Sequence, residues 1–360
     1  MSVPANVAAL LGIGWRADAP MALPEGLGPA PLIARVTAQH RNRYELDDGT
    51  VPLSAMAQAG MIRRGGDPLR RPVVGDFVAL DASTPPLVGA VLPRRSLLKR
   101  AAAGDRHVAQ VLAANVDTAL VVCGLDLDFN PRRIERYLTL IEGSGVAAVV
   151  ALTKADKDPD AAAKGEALRE LLGPEVPVLV LNAKSPETRA HLAPWTRAGD
   201  TLVLLGSSGA GKSTLTNTLL GIEKQRTSEV REHDSRGRHT TTHRTLIRLP
   251  GGACIIDTPG MRELKLTGEE SLGLGHFREI EALSHACRFR DCRHQNEPGC
   301  AVRAALEAGT IDAERYAHYQ KLVAERDRAQ EATVAGARKR GDRVANKALN
   351  RRLDEKYGSH

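Results

Sequence analysis

Apolar residues run through this chain in two rhythms. Between Pro31 and about Pro93 they come in short bursts, Leu32–Gln39, Tyr44–Leu46, Val73–Leu80 and Leu87–Leu92, parted by Asp47-Asp48-Gly49 and Arg64-Gly65-Gly66. Short runs punctuated by turn residues at this spacing predict a small β-barrel, of OB or SH3-like type. From about His107 the apolar runs Thr118–Cys123, Ala147–Leu152, Pro177–Leu181 and Asp200–Leu205 alternate with the helical segments Pro131–Ile141 and Asp160–Leu172. Continuous apolar strands between helices predict a parallel sheet covered on both faces, an α/β domain. After Asp257 the strands stop, and the chain reads as helical around a Cys/His cluster, then as a basic tail. The Ala-, Gly- and Pro-rich start predicts a loose lead-in. The expected organisation is an extension over 1–29, a barrel over 30–97, the α/β domain over 107–264, a helical Cys/His domain over 265–335 and a basic segment over 336–360.

Composition narrows the class. At 360 residues, 42% of them apolar, the chain is long enough for two or three domains with their own cores. No apolar run reaches the roughly 18–20 residues that span a bilayer. The apolar stretch Val7 to Trp15 has no basic residues leading into it, unlike a secretory signal. Five cysteines, an odd number without a framework, argue against a disulfide-stapled secreted protein, so a cytoplasmic, membrane-free protein is expected. A net charge of +7 favours an anionic partner such as nucleic acid.

The chemistry is concentrated in a few motifs. Gly206-Ser207-Ser208-Gly209-Ala210-Gly211-Lys212-Ser213 fits G-x-x-x-x-G-K-[ST] and lies between an apolar strand and a helical run, Ser213–Leu220. Glycines there let backbone N–H groups wrap phosphate oxygens beside a helix N-terminus, where Thr214 follows. Lys212 is expected on the β- and γ-phosphates, as a catalytic charge, and Ser213 on Mg²⁺. Asp257-Thr258-Pro259-Gly260 follows the strand Ala253–Ile256; Asp257 is expected to hold the metal through water and the Gly260 N–H to sense the γ-phosphate. Between the two lies Arg236-Gly237-Arg238-His239-Thr240-Thr241-Thr242-His243, in the position of a switch loop. One of Thr241 or Thr242 is expected as a further Mg²⁺ ligand.

Thr153-Lys154-Ala155-Asp156 is similar to Asn-Lys-x-Asp, with Thr in place of Asn. A carboxylate at Asp156 accepts from the guanine ring N–H and its exocyclic amine, a donor pair that adenine lacks. Lys154 is expected to lay its stem on the base. Asn182-Ala183-Lys184 stands where Ser-Ala-Lys offers a backbone N–H to the guanine carbonyl. GTP or GDP is therefore the expected ligand. The base-reading motif precedes the phosphate loop, the reverse of Ras-like order, so the domain reads as a circularly permuted P-loop GTPase.

Cys287, Cys292, His294 and Cys300 supply three thiolates and one imidazole in a compact stretch. That donor set suits one tetrahedral Zn²⁺ in a closed, structural site. His285 is a rival ligand, whereas Cys123 and Cys254 lie in apolar strands and read as buried hydrophobes.

With these motifs, and with Asn115-Val116-Asp117, Cys123-Gly124-Leu125 and Phe129-Asn130-Pro131-Arg132-Arg133, the chain from about 30 to 330 resembles the ribosome small-subunit-dependent GTPase A (RsgA/YjeQ) family. The resemblance implies an N-terminal OB-type barrel, a permuted GTPase domain and a C-terminal zinc-binding domain. It also implies GTP hydrolysis stimulated by the small (30S) ribosomal subunit, in late maturation of that subunit. A monomer is expected.

Where Ras-like enzymes place a water-orienting Gln, this chain has Met261. His239 is the candidate substitute, since a neutral imidazole accepts a hydrogen bond from water. The Met261 position also keeps open a nucleotide-sensing, RNA-binding assembly module with negligible turnover. A small-molecule P-loop kinase explains neither Asp156 nor the flanking domains. For rRNA, the segment Arg338 to Lys356 holds eight basic and three acidic residues, and Arg94, Arg95, Lys99 and Arg100 form a second candidate patch. Tyr44 and Phe289 are candidate stacking residues; with 3% aromatics, phosphate neutralisation is expected to dominate.

Overall fold

The computed structural model describes residues 6–16, 31–40, 43–62, 68–81, 83–101, 109–126, 128–222, 244–258, 267, 277–332 and 334. The chain divides into two compact units, Met1–Lys99 with Val111–Leu264, and Arg100–Gln110 with Lys265–His360.

The first unit opens with a short helix, α1 (Val7–Leu11), and continues into the barrel strands β1 (Ile33–His40), β2 (Arg43–Asp47), β3 (Pro52–Ala57), β4 (Phe77–Leu80) and β5 (Leu87–Val91). Antiparallel pairs β1–β2, β2–β3, β4–β5 and β1–β4, with the parallel pair β3–β5, close the ring in the order 1-2-3-5-4-1. This is the OB-type barrel expected. Alternate residues, Ala34, Val36, Tyr44, Leu46, Val78, Leu80 and Val88 among them, fill its interior. Strand β3 escaped the sequence reading because Pro52-Leu-Ser-Ala-Met-Ala has no β-branched run; it is set by the turn before it, where the Asp48 carboxylate accepts from the Thr50 and Val51 N–H groups. The expected run Val73–Leu80 begins as a turn instead. The Asp76 carboxylate accepts from Val73 N–H, and Gly75 stands at φ +95° with the Ala114 carbonyl 2.1 Å from where a Cβ would sit.

After the barrel, β6 (Leu97–Ala101) and β7 (Ala109–Ala114) form a separate two-stranded ribbon. The nucleotide-type sheet follows: β8 (Thr118–Gly124), β9 (Ala147–Thr153), β10 (Val178–Val180), β11 (Thr201–Leu205), β12 (Thr245–Arg248) and β13 (Cys254–Asp257). Their order is β10-β9-β8-β11-β13-β12, parallel throughout except for β12. The chain builds the β8-β9-β10 half before returning to the central strand β11, so the permutation is visible in the topology. All seven residues of β8 are buried, as a strand covered on both faces requires. The covering helices include α2 (Pro131–Ile141), α3 (Ala161–Leu172), α4 (Thr188–Leu192) and α5 (Lys212–Leu220). Asn130 caps α2 by accepting from Arg133 N–H, and Pro131 occupies its first turn, where no N–H is needed.

Barrel and sheet are continuous. A bulge between Val36 and Ala38 splits the partners of β1, so that Ile33–Arg35 pair with β4 while Ala38 pairs with Thr245 of β12. The described part of the lead-in, 6–16, corrects the sequence expectation of a loose segment: Leu10, Ile13 and Trp15 are buried in this unit's core, and Trp15 meets Phe77 edge-on at 4.8 Å. Three large apolar residues outweigh the Ala/Gly/Pro composition around them. Arg16 then fastens the segment to Asp117 and Asp200 at 3.1 and 2.9 Å.

The second unit contains α6 (Arg278–His285), α7 (Ala301–Glu307) and α8, a helix over 313–332. Its own core joins Phe277, Ile280, Val302, Tyr316 and Leu322. No described helix is long and apolar enough to cross a membrane.

Candidate nucleotide site and metal centre

The loop Gly206–Ser213 leaves the C-terminal end of the central strand β11 and enters α5, at the point where neighbouring connections leave the sheet in opposite directions. Its glycines are required by close approach. Gly206 stands at φ +145° with the Val122 carbonyl 2.2 Å from an ideal Cβ, and Gly211 at φ +101° lies 3.2 Å by the same measure from Thr153 Oγ1. Ser208 and Gly209 are exposed at the tip, whereas Ala210 and Lys212 are buried. Lys212 Nζ donates to the Gly206 and Ser207 carbonyls at 2.7 and 2.6 Å. Burial lowers its pKa from the ordinary lysine value, with Asp257 and Asp128 opposing the shift. Ser213 and Thr214 follow in the first turn of α5, half-buried.

The residues expected to read the base follow the C-terminal ends of β9 and β10. Thr153 closes β9 fully buried, and its hydroxyl donates to the Ala210 carbonyl at 2.6 Å. This bond ties the end of β9 directly to the Gly206–Ser213 loop. Lys154 adopts left-handed backbone, φ +63°, and Asp156 is exposed in the turn Ala155–Lys157. Asn182 organises its tripeptide by accepting from Lys184 N–H at 3.0 Å, while the Ala183 carbonyl accepts from Thr218 of α5 at 2.6 Å. Thr153 thus touches the loop and Ala183 the helix that follows it, although the sequence places both well before them.

Asp257 ends β13, the neighbour of β11, and Thr258 next to it donates to the Leu204 carbonyl at 2.6 Å. Gly260, Met261, His239, Thr241 and Thr242 lie outside the described residues. Sequence reading missed Asp126 and Asp128, which follow the C-terminal end of β8 and touch Lys154 and Ser207. Their position after a central parallel strand was the available signal.

In the second unit, one ligand atom from each of Cys287, Cys292, His294 and Cys300 lies within 4.8 Å of the others. His294 Nδ1 is 3.5 Å from Cys287 Sγ and 3.4 Å from Cys300 Sγ, and the two sulfurs are 3.9 Å apart. Bonds of about 2.3 Å to sulfur and 2.0 Å to nitrogen give tetrahedral edges of roughly 3.5–3.8 Å, so the donors fit one zinc ion. Nδ1 is the nitrogen facing the sulfurs, while Nε2 meets Ser284 Oγ at 3.1 Å, and that hydroxyl donates to the Ile280 carbonyl. Such an outer partner fixes the ring and its tautomer. Cys300 also caps α7, its sulfur accepting from Arg303 N–H. Between His294 and Cys300, the Glu297 carboxylate accepts three backbone N–H groups, from Arg293, Gln295 and Asn296. Those bonds pull its pKa down to about 2. His285 is not part of the cluster, and Cys123 and Cys254 are buried free thiols of the first unit.

Two expectations for RNA contact are corrected. Tyr44 is wholly inside the barrel and offers no stacking face. Arg94 is bound internally, with two bonds of 2.7 Å to the buried Asp76 and others to the Leu69 and Arg71 carbonyls. A buried carboxylate needs such a partner, and Arg94 supplies it. Arg95 pairs with Asp117 at 3.0 Å and Arg100 donates to Gln110. Phe289 is exposed, with the Arg288 guanidinium over its ring at 5.6 Å. The segment Arg338 to Lys356 lies outside the described residues.

This arrangement has counterparts among known proteins. The family model for RsgA GTPase matches residues 91–267. The Small ribosomal subunit biogenesis GTPase RsgA of Xanthomonas euvesicatoria pv. vesicatoria (strain 85-10) is 51% identical over 331 residues, 89% of this chain and 90% of that protein. The protein of the same name from Xanthomonas oryzae pv. oryzae (strain PXO99A) is 55% identical over 298 residues, 82% of this chain and 81% of its own. The crystal structure of YjeQ from Thermotoga maritima shares the fold at a TM-score of 0.56 and 24% identity, covering 81% of this chain and 96% of its own. YloQ, described as a circularly permuted GTPase, does so at 0.55 and 24%, covering 85% and 99%. With half its residues shared along nearly the whole length of such a relative, the chain belongs to the RsgA GTPase family.

Proposed function

We propose that this GTP hydrolase acts in the cytoplasm, as a monomer, on the immature small (30S) ribosomal subunit, which it contacts through rRNA late in maturation. The observation that carries the reading is the identity of 51% and 55% with relatives named for small ribosomal subunit biogenesis. The barrel over 30–97, the GTPase domain over 107–264 and the zinc-binding domain over 265–335 divide the work, with the basic segment 336–360 as an RNA contact.

Guanine nucleotide binds with Asp156 on the ring N–H and exocyclic amine, Lys154 and the Asn182-Ala183-Lys184 backbone around the base, and Gly206 to Thr214 around the phosphates. Lys212 leaves the loop carbonyls for the β- and γ-phosphates and offsets charge on the leaving group. Ser213, Asp257 and one of Thr241 or Thr242 would hold Mg²⁺, which supplies charge neutralisation across the phosphates. The Gly260 N–H senses the γ-phosphate, and His239 orients the attacking water in place of the missing Gln. The four-ligand cluster holds one structural Zn²⁺ with no open position for chemistry.

The test is multiple-turnover GTP hydrolysis titrated with purified small subunits, wild type against His239→Ala. Stimulated turnover is expected in the wild type and its loss, with GTP affinity retained, in the variant. Turnover unaffected by small subunits refutes the partner; unchanged stimulation in the variant refutes the role of His239.

A further inference from the structure

The turn between β8 and α2 carries two aspartates, each on a different half of the nucleotide site. Asp126 forms an ion pair with Lys154 Nζ, on the base side. Asp128 accepts the Ser207 hydroxyl at 2.5 Å, on the phosphate side, and is ion-paired with Arg133 in the first turn of α2. The turn is itself well held. Phe129 N–H donates to the Asp126 carbonyl, Asn130 caps α2, and Leu125 N–H donates to the Thr153 carbonyl. Gly124 at its start is a close approach: a Cβ there would stand 2.7 Å from Asp126 Oδ1 and 3.2 Å from Lys154 Nζ. Beneath the phosphate loop, Cys123, Asp128, Arg133, Tyr137 and Ser207 line a small cavity.

The geometry points to Asp126 and Asp128 as positioning residues that set the base-reading and phosphate-binding halves of the site at the spacing a guanine nucleotide needs. The assignment rests on the reading of 153–156 and 206–213 as that site. Neither aspartate touches the reacting atoms. Asp128 acts through Ser207, whose backbone belongs to the row of N–H groups around the phosphates. Asp126 acts through Lys154, whose stem it places before the base arrives. Charge-assisted bonds suit this duty because they are shorter and stronger than neutral ones.

The experiment uses the full chain and fluorescent mant-GDP and mant-GTP. Wild type, Asp126→Ala, Asp128→Ala, Asp128→Asn, Ser207→Ala and the Asp128/Ser207 double alanine variant are compared for nucleotide Kd, KM and kcat, and nucleotide-free melting. Asp128→Ala and Ser207→Ala should each weaken both nucleotides about tenfold, the scale of one charge-assisted hydrogen bond. The double variant should be no weaker than either single one. Asp128→Asn, which keeps an acceptor for Ser207, should recover most of the affinity, and Asp126→Ala should weaken binding by a similar factor. KM should rise while kcat stays within about twofold, as loss of uniform binding requires. Additive effects of Asp128→Ala and Ser207→Ala, or unchanged affinity in variants that melt like the wild type, would overturn the assignment. If Asp128→Ala does not fold, Ser207→Ala against Asp128→Asn decides it by the same criterion. A wild-type protein that binds neither probe would instead refute the nucleotide reading beneath it.

Discussion

Arg35→Met tests how the barrel is held to the nucleotide sheet. The Arg35 guanidinium is fully buried, and its partners are three carbonyls and a hydroxyl. Nε donates to Gly75 at 3.2 Å, Nη1 to Ile13 and to Thr201 Oγ1 at 2.9 Å, and Nη2 to Asn115 at 3.0 Å. One side chain thus joins the lead-in, the barrel, the approach to β8 and the start of β11, while its guanidinium lies 5.0 Å from the Phe77 ring centre. Burial lowers its pKa from the ordinary arginine value, the mark of a desolvated cation. Methionine replaces the stem but removes the donor from the Ile13 and Asn115 carbonyls and the Thr201 hydroxyl, each costing about 1–3 kcal/mol, while the Gly75 carbonyl keeps the Asn115 side-chain amide. Relief of the buried charge offsets part of this, for a net loss of about 2–4 kcal/mol. At a urea slope of about 2 kcal/mol/M, the midpoint should fall by about 1–2 M. The assay is urea unfolding followed by Trp15 fluorescence in a Trp195→Phe background, because Trp15 is 4% exposed at this seam and the chain has only two tryptophans. A fall below about 0.3 M, under 1 kcal/mol on that slope, would refute the idea that Arg35 carries the junction.

The cysteines should react in two classes. Burial pushes the Cys123 thiol up to about 11 and raises that of Cys254, so neither should react with Ellman's reagent at pH 8 in the native protein. Chelation should unmask Cys287, Cys292 and Cys300 alone; those three reacting freely beforehand would count against the metal site. In the barrel, the Ser83 hydroxyl and then the Leu87 N–H hold the Asp81 carboxylate at a pKa of about 2, below its ordinary 3.8. A depressed acid stabilises the fold fully above its unfolded pKa, so this contribution persists above about pH 4 and is lost as pH falls through about 2. An NMR titration should place the Asp81 midpoint near 2. A midpoint at the ordinary value would refute the turn geometry.

What could be read in the sequence was chemistry confined to short stretches. The phosphate loop, Thr153 to Asp156 and the Cys/His cluster each need particular residue types a few positions apart, so their spacing survives without any knowledge of packing. The parallel strands were legible for a related reason: a strand buried on both faces, such as Thr118–Gly124, must be apolar throughout. Strand β3 was not, because its pairing with β2 outweighs a weak local preference.

The chain by itself also determined the order of the motifs, and with it the permuted topology. Only the tertiary structure decided which polar residues turn inward. Arg94 read as an RNA contact but belongs to Asp76, and Tyr44 read as a stacking face but fills the barrel. Arg35 gave no sign in the sequence that it joins Ile13 to Thr201. Asp126 and Asp128, silent as a pair, meet Lys154 and Ser207. In each case the partner is distant along the chain, and a charge takes its meaning from what folding brings beside it.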